Sequence, residues 1–344
     1  MPHDQNRPTQ HGAPHIALFD AKPYDRFYFD QENERYGFNI TYLEGKLNRE
    51  SAVITNGFDA VCMFVNDLMD AETARQVKEN GVSLVALRCS GYNNVDLTST
   101  GPELPVVRVP AYSPYAVAEH TVGLMLTLNR KIHRAYYRTR DNNFSLNGLI
   151  GFDMHDKTAG IIGTGKIGRL VTQILRGFGM HVLAYDVMPQ EEWAAEYGVR
   201  YVSLTDLYRE SDVISLHCPL TPENLYMINK GTISLMKDTA MIVNTGRGKL
   251  INTSDLLDAL KAQKLGSAAL DVYEEETDYF FEDFSSMFVA DDVLARLLTF
   301  PNVLVTSHQA FFTHEALSNI AATTLENIRL FFEESETPNL VQPG

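Results

Sequence analysis

The second half of the chain holds two sets of residues whose types and spacing suit chemistry. The first suits phosphate. Residues 161–168 read Ile-Ile-Gly-Thr-Gly-Lys-Ile-Gly. An apolar run precedes this G-x-G-x-x-G, and apolar residues follow at Ile167, Leu170, Val171, Ile174, Leu175 and Phe178, the spacing of one helix face. In such a strand–turn–helix, Gly163 makes the tight turn, Gly165 lets backbone approach a pyrophosphate, and Gly168 lets helix and strand pack closely. The unpaired N–H groups of the helix start, around Lys166 and Ile167, attract the phosphates. Asp186 ends the next apolar run, 23 residues after Gly163. A carboxylate there accepts hydrogen bonds from the adenosine ribose and repels a 2′-phosphate, and Val187 and Met188 supply no cation to offset that. The pattern predicts NAD rather than NADP. Out of context, the same glycines could form a plain turn.

The second set suits an oxyacid. Arg247 stands between Gly246 and Gly248 just past an apolar run. A planar guanidinium there can hold a carboxylate through two parallel hydrogen bonds. His308 ends the last apolar run, and imidazole is the side chain best suited to proton transfer near neutrality. Glu276 lies in an acidic run, and a carboxylate beside an imidazole favours the imidazolium. Singly, each has a plainer reading: a surface arginine, a structural histidine, a solvated glutamate. Together with a dinucleotide loop they form a hydride-transfer set of cofactor, carboxylate clamp, proton donor and donor tuner.

The elements that position these residues follow from apolar periodicity. Residues 15–20, 39–43, 59–65, 83–87 and 104–109 read as strands, and residues 24–36 and 70–80 as helices. Ser113 and Pro114 open a helix expected to reach about Arg140. Its last part is basic at Arg130, Lys131, Arg134, Arg138 and Arg140. Six further strands fall at 158–162, 181–185, 212–217, 240–244, 266–270 and 302–306, before a final helix over about 315–333. Strands alternating with helices predict an α/β protein with doubly wound parallel sheets.

Composition narrows the function classes. The 344 residues suggest about two domains. With 44 acidic and 29 basic side chains the net charge is −15, which argues against nucleic acid or an anionic membrane as partner. The longest strongly apolar stretch, residues 122–128, falls well short of the ~20 needed to span a bilayer. The polar residues 1–14 read as a disordered tail without the apolar segment of a signal peptide. Cys62, Cys89 and Cys218 are far apart with no C-x-x-C, as in a cytoplasmic protein with reduced thiols and no metal site.

Several segments together resemble the D-isomer-specific 2-hydroxyacid dehydrogenases, most nearly the NAD-dependent D-lactate dehydrogenases of fermenting bacteria. They are Leu-Arg-Cys-Ser-Gly-Tyr-Asn-Asn-Val-Asp at 87–96, Val-Pro-Ala-Tyr-Ser-Pro at 109–114 with Ala-Glu-His at 118–120, the glycine loop, His-Cys-Pro-Leu-Thr at 217–221, and residues 244–248, 271–276 and 308–312. They run in family order over about 15–335, with Arg247, Glu276 and His308 spaced 29 and 32 residues apart. The resemblance implies that Arg247 clamps the substrate carboxylate, that His308 is the acid–base, and that Glu276 pairs with it. It also implies that Cys218 and Pro219 pack near the adenine, that Asn244 and Asp271 line the nicotinamide side, and that Thr245 binds the cofactor. Backbone N–H groups at Ser90 and Gly91 would hold the carboxylate from its other side, and Tyr112 and Phe311 would border the substrate.

The resemblance further implies two Rossmann-like or flavodoxin-like domains with a cleft between them. A substrate domain would comprise 15–111 and 309–344, and an NAD domain 112–308. The long helix from Ser113 would join two chains in a homodimer or homotetramer. The reaction expected is reduction of pyruvate to D-lactate by NADH. Glyoxylate, hydroxypyruvate and phenylpyruvate are alternative substrates, and an NAD-sensing, corepressor-like interaction protein is an alternative of another kind. Glu276 argues against a formate dehydrogenase, which carries Gln there, and the short segment after His308 against a phosphoglycerate dehydrogenase with a regulatory tail.

Overall fold

The structure, a computed structural model, describes residues 12–275 and 279–342. The chain forms two compact units, one running to Ser113 and resuming at Phe312, the other Pro114–Phe311.

The first unit is built from β1 (His15–Leu18), α1 (Pro23–Asn33), β2 (Asn39–Tyr42), β3 (Ala60–Met63), α2 (Ala71–Glu79), β4 (Leu84–Leu87), α3 (Leu97–Thr100) and β5 (Val106–Val107). Its sheet is parallel in the flavodoxin-like order β2-β1-β3-β4-β5. Strands β3 and β4 are buried on both faces, which is why they read as unbroken apolar runs. The α2 start is capped by Asp70, which accepts from Thr73 N. Strand β5 is only two residues long because the C-terminal segment takes over its edge: Arg108 N donates to Asn339 O and Val341 N to Val106 O. Just past β4, buried Arg88 donates to Asp25 and to the carbonyls of Phe19 and Asp20. The segment that follows, with Ser90 and Gly91, therefore leaves the sheet from a fixed point.

The second unit begins with α4 (Pro114–Arg130) and α5 (Ile132–Arg140). It continues with β6 (Thr158–Ile162), α6 (Lys166–Gly177), β7 (His181–Tyr185), α7 (Glu191–Tyr197), β8 (Val199–Tyr201), α8 (Leu204–Glu210) and β9 (Val213–Leu216). It closes with α9 (Lys230–Ile233), β10 (Met241–Asn244), α10 (Thr253–Lys261), β11 (Ser267–Leu270), α11 (Asp292–Leu297) and β12 (Val303–Val305). The parallel sheet has the order β12-β11-β10-β9-β6-β7-β8. This is the Rossmann order with one further strand, and the direction of winding reverses between β6 and β9. In open sheets of this kind ligands lie outside the carboxyl ends of the strands near that reversal. The chain then returns to the first unit as α12 (His314–Arg329), capped by Thr313 and packed on α1.

Two expectations from the sequence need correction. The helix from Pro114 does not run unbroken to Arg140: Lys131 adopts φ 53° and separates α4 from α5. Buried residues line α4 as far as Asn129, while α5 has none, so packing ends where the backbone turns. Strand β8 has no counterpart among the strands read from the sequence, because three residues at a sheet edge, half-buried Val199 and Tyr201 around exposed Arg200, are too short to show a period.

Candidate active site

Gly163, at φ 95°, sits so tightly against the segment after β9 that a Cβ would lie 2.5 Å from Cys218 N. A Cβ on Gly168 would lie 2.0 Å from Gly163 O, so helix α6 can close on the loop only without a side chain there. Gly165 faces open space, with no atom within 4 Å of a built Cβ, and it stands at the N-cap of α6 with no side-chain cap. The first N–H groups of α6 are thus aimed at room for a phosphate.

Asp186, just past β7, accepts from Thr164 N and Oγ1 at 2.6 and 3.0 Å and from Met188 N at 2.9 Å. Burial works to raise its pKa, but these donors and the Arg169 charge outweigh it and hold the carboxyl below its ordinary value. Val187 and Met188 beside it are exposed and uncharged. A tight turn, an open helix start and an ionised acid followed by uncharged Val187 and Met188 fit the pyrophosphate and unphosphorylated ribose of NAD. Burial raises the Cys218 thiol to about 11, so this residue packs rather than reacts. Its Sγ lies 3.8 Å from Met227 Sδ, and Pro219 O accepts from Asn224.

Arg247 is presented by a turn that its own strand braces. Fully buried Asn244 donates from Nδ2 to Arg247 O at 2.9 Å and accepts from Gly246 N at 3.0 Å. A Cβ on Gly248 would lie 2.0 Å from Tyr273 O, which locks the turn against the segment after β11. Thr245 Oγ1 meets Thr121 Oγ1 of α4 at 2.8 Å. The half-buried guanidinium donates to Gly246 O, and among the described residues it faces no carboxylate.

His308 is held by the backbone and side chain of one buried acid. Its N–H donates to Asp271 O at 2.7 Å. The Asp271 carboxylate accepts from Thr306 Oγ1 at 2.5 Å and from Gln309 N and Ala310 N at 2.9 Å each. His120 Nε2 of α4 reaches Asp271 Oδ1 at 3.3 Å and Thr306 Oγ1 at 3.4 Å. Burial would raise the Asp271 pKa, but these donors and the nearby His308 keep it low. His308 itself is left-handed at φ 51°. Two phenylalanines flank its ring: Phe281 at 5.9 Å between centroids, also left-handed at φ 70°, and Phe311 at 6.5 Å, edge-on.

The structure therefore brings Asn244, Thr245, Arg247, Asp271, His308 and Phe311 to the carboxyl ends of the adjacent strands β10, β11 and β12. Glu276 lies outside the described residues. In the first unit, the carbonyl of Ser90 accepts from Arg108 and that of Gly91 from Cys89 Sγ. Among the described residues no group in the chain takes up the N–H of either residue. Tyr112 is half-buried in the segment before α4.

The sequence assigns no part to His120 or Thr121, although 118–120 belongs to the family resemblance; neither carries a signal until α4 is laid beside the strand ends. Two acids near Glu276 are more than surface charge: Glu274 is half-buried, accepting from Tyr226 and Thr253, and Asp291 caps α11 and accepts from Tyr273.

Among the described residues no group of three or more His, Cys, Asp or Glu could hold a metal ion, and no helix is long and apolar enough to cross a membrane.

Comparison with known proteins agrees with this geometry. Residues 122–310 match the model of the D-isomer specific 2-hydroxyacid dehydrogenase, NAD binding domain. The chain is 52% identical over 325 residues to the D-lactate dehydrogenase of Escherichia coli strain K12, covering 94% of this chain and 98% of that protein. It superposes on the pyruvate reductase of Chlamydomonas reinhardtii with a TM-score of 0.90 at 39% identity, covering 95% of this chain and 98% of the other. On the D-lactate dehydrogenase of Lactobacillus jensenii with NAD+ the TM-score is 0.79 at 30% identity, covering 96% and 100%.

Proposed function

The chain belongs to the D-isomer-specific 2-hydroxyacid dehydrogenase family, and we propose that within it this NAD-dependent enzyme reduces pyruvate to D-lactate, with Arg247 as carboxylate clamp and His308 as proton donor. One observation carries the reading. The carboxyl ends of β10, β11 and β12 present, side by side, a guanidinium facing no described carboxylate, a buried acid fastening a turn, and the imidazole on that turn.

Bound NADH supplies the hydride. Arg247 binds the substrate carboxylate and puts positive potential beside the keto oxygen as it gains charge. His308 gives a proton to that oxygen, so that the carbonyl becomes a hydroxyl. Glu276 keeps its place in this proposal as the partner of the imidazole. Asn244, Thr245, Cys218 and Pro219 line the cofactor, and the spare N–H groups of Ser90 and Gly91 are donors of the kind that binds a carboxylate. Phe281 and Phe311 crowd His308 and favour a small substrate, as do relatives named D-lactate dehydrogenase and pyruvate reductase.

The test is NADH oxidation with pyruvate, glyoxylate, hydroxypyruvate and phenylpyruvate, with the chirality of the product determined. Pyruvate is expected to show the highest kcat/KM and to give D-lactate. An L product, or a higher kcat/KM for another acid, would overturn the proposal.

Asp186→Ala removes the charge that repels a 2′-phosphate and the acceptor for the ribose. The kcat/KM ratio of NADPH to NADH is expected to rise by about tenfold or more, since like-charge juxtaposition costs several kcal/mol. An unchanged ratio would refute the role given to Asp186.

A homo-oligomer is part of the same proposal. Helix α5 buries no residue, and Ile132, Tyr136, Tyr137, Phe144, Leu146 and Ile150 lie exposed along 132–150. The variant Tyr137→Glu/Ile150→Asp is expected to sediment as a smaller species than the parent. Identical sedimentation would remove this segment from the interface. A cytoplasmic setting suits three cysteines that form no disulfide.

A further inference from the structure

Two consecutive residues of α4, His120 and Thr121, reach two different strand-end turns. Thr121 Oγ1 meets Thr245 Oγ1, next to the turn that Asn244 braces around Arg247. His120 Nε2 meets Asp271 Oδ1, the carboxylate on which the 306–310 turn hangs. Asp271 is fully buried, so its orientation is set by whatever donates to it. Thr306 Oγ1 and the N–H groups of Gln309 and Ala310 belong to the turn being held. His120 is the donor to this carboxylate that comes from an independent element, and α4 is packed along β10, β11 and β12. An ionised carboxylate accepts only, so Nε2 carries the proton in this contact.

Left-handed backbone at a histidine persists where the surroundings over-determine it. Here they do so through Asp271, whose carbonyl accepts from His308 N while its carboxylate spans the next two N–H groups. The titratable groups facing Asp271 are His120 from α4 and His308 on the turn itself.

We propose that His120 is a positioning residue: by holding the Asp271 carboxylate it fixes the turn that presents His308, while Thr121, through Thr245, steadies the turn that presents Arg247. Helix α4 thereby sets the spacing between proton donor and carboxylate clamp. This rests on the roles given above to His308 and Arg247.

The test compares His120→Ala, His120→Gln, Thr121→Val and His308→Asn with the parent. The readouts are kcat and KM for pyruvate, the NADH dissociation constant from quenching of the single tryptophan, Trp193, and the thermal midpoint. Trp193 lies under the Arg169 guanidinium, which also binds the glycine loop at Thr164 O. His120→Ala is expected to lower kcat by about 10- to 100-fold, since a misplacement of ~1 Å can cost 10²-fold. NADH affinity should stay within about twofold. Glutamine, which restores an N–H donor of similar reach, should recover most of the loss. Thr121→Val, an isosteric loss of one hydroxyl, should raise the KM for pyruvate more than it lowers kcat.

A His120→Ala enzyme with parental kcat, alongside an inactive His308→Asn, would overturn the positioning role and leave the role of His308 intact. Active His308→Asn would overturn both. A loss in His120→Ala that glutamine does not rescue, accompanied by an equal loss of NADH affinity and thermal midpoint, would make the contact structural and also overturn it. Should the alanine variant fail to fold, the glutamine and Thr121→Val variants carry the test: a glutamine variant with greatly reduced kcat, or an unchanged KM in Thr121→Val, counts against it.

Discussion

His308→Asn lowers kcat for pyruvate reduction by about 10²–10⁴-fold, the usual contribution of a positioned general acid. Asparagine is the informative replacement. His308 sits at φ 51°, and asparagine tolerates that conformation better than most residues. The backbone N–H to Asp271 O and the N–H groups of Gln309 and Ala310 that hold the turn are unaffected by the side chain. The substitution thus removes proton transfer and little else. NADH affinity, measured through Trp193, stays near the parental value, because the glycine loop and Asp186 lie after β6 and β7 rather than after β12. Single-turnover reduction should fall as much as steady-state turnover. Retention of a tenth or more of the parental kcat would remove His308 from the chemistry.

Arg247→Ala loses the substrate rather than the cofactor. Truncating one member of a hydrogen-bonded charge pair costs about 2–5 kcal/mol, which is roughly a 30- to several-thousand-fold loss in kcat/KM for pyruvate. Part of this should appear in kcat, since in the proposed mechanism the same cation faces the oxygen that gains charge. Arg247→Lys keeps the charge but not the two-pronged donor, so it should recover only part of the loss. The turn itself should survive both changes. Arg247 has φ −138°, an ordinary extended value, and the turn is braced by Asn244 and Gly248. A KM for pyruvate within threefold of the parent in Arg247→Ala would show that the carboxylate binds elsewhere.

Much of the fold was legible because the chain repeats one local rule. A strand buried on both faces is a short apolar run, and a crossover helix shows apolar residues three and four apart. Strands β3, β4, β6 and β10 and helix α6 announced themselves in that way. The glycine loop was legible for a stronger reason: Gly163 and Gly168 are required by backbone atoms 2.5 and 2.0 Å away, and no other residue could stand there. What failed lacked a local cause. Lys131 breaks the α4–α5 helix with no glycine or proline to mark it, and β8 is too short for a period.

The site was legible at the groups proposed to react and not at their supports. Arg247 and His308 stand out only together, as a cation between glycines and an imidazole at a strand end that both follow a dinucleotide loop. His120 and Thr121 look like two polar residues in an amphipathic helix, and Asp271 looks like any acid after a strand. Their work is done across about 125 to 150 residues of chain, in contacts such as Thr121–Thr245 and His120–Asp271.

By itself, then, the sequence determined the α/β class and the dinucleotide loop and singled out Asp186, Arg247 and His308 as candidates, because each depends on neighbours within one strand–turn–helix. The tertiary structure alone decided that β10, β11 and β12 lie side by side, that Asp271 holds the His308 turn, and that α4 braces both turns. Those are facts of strand order and helix packing. They bring together residues from distant parts of the chain, and no local spacing records them.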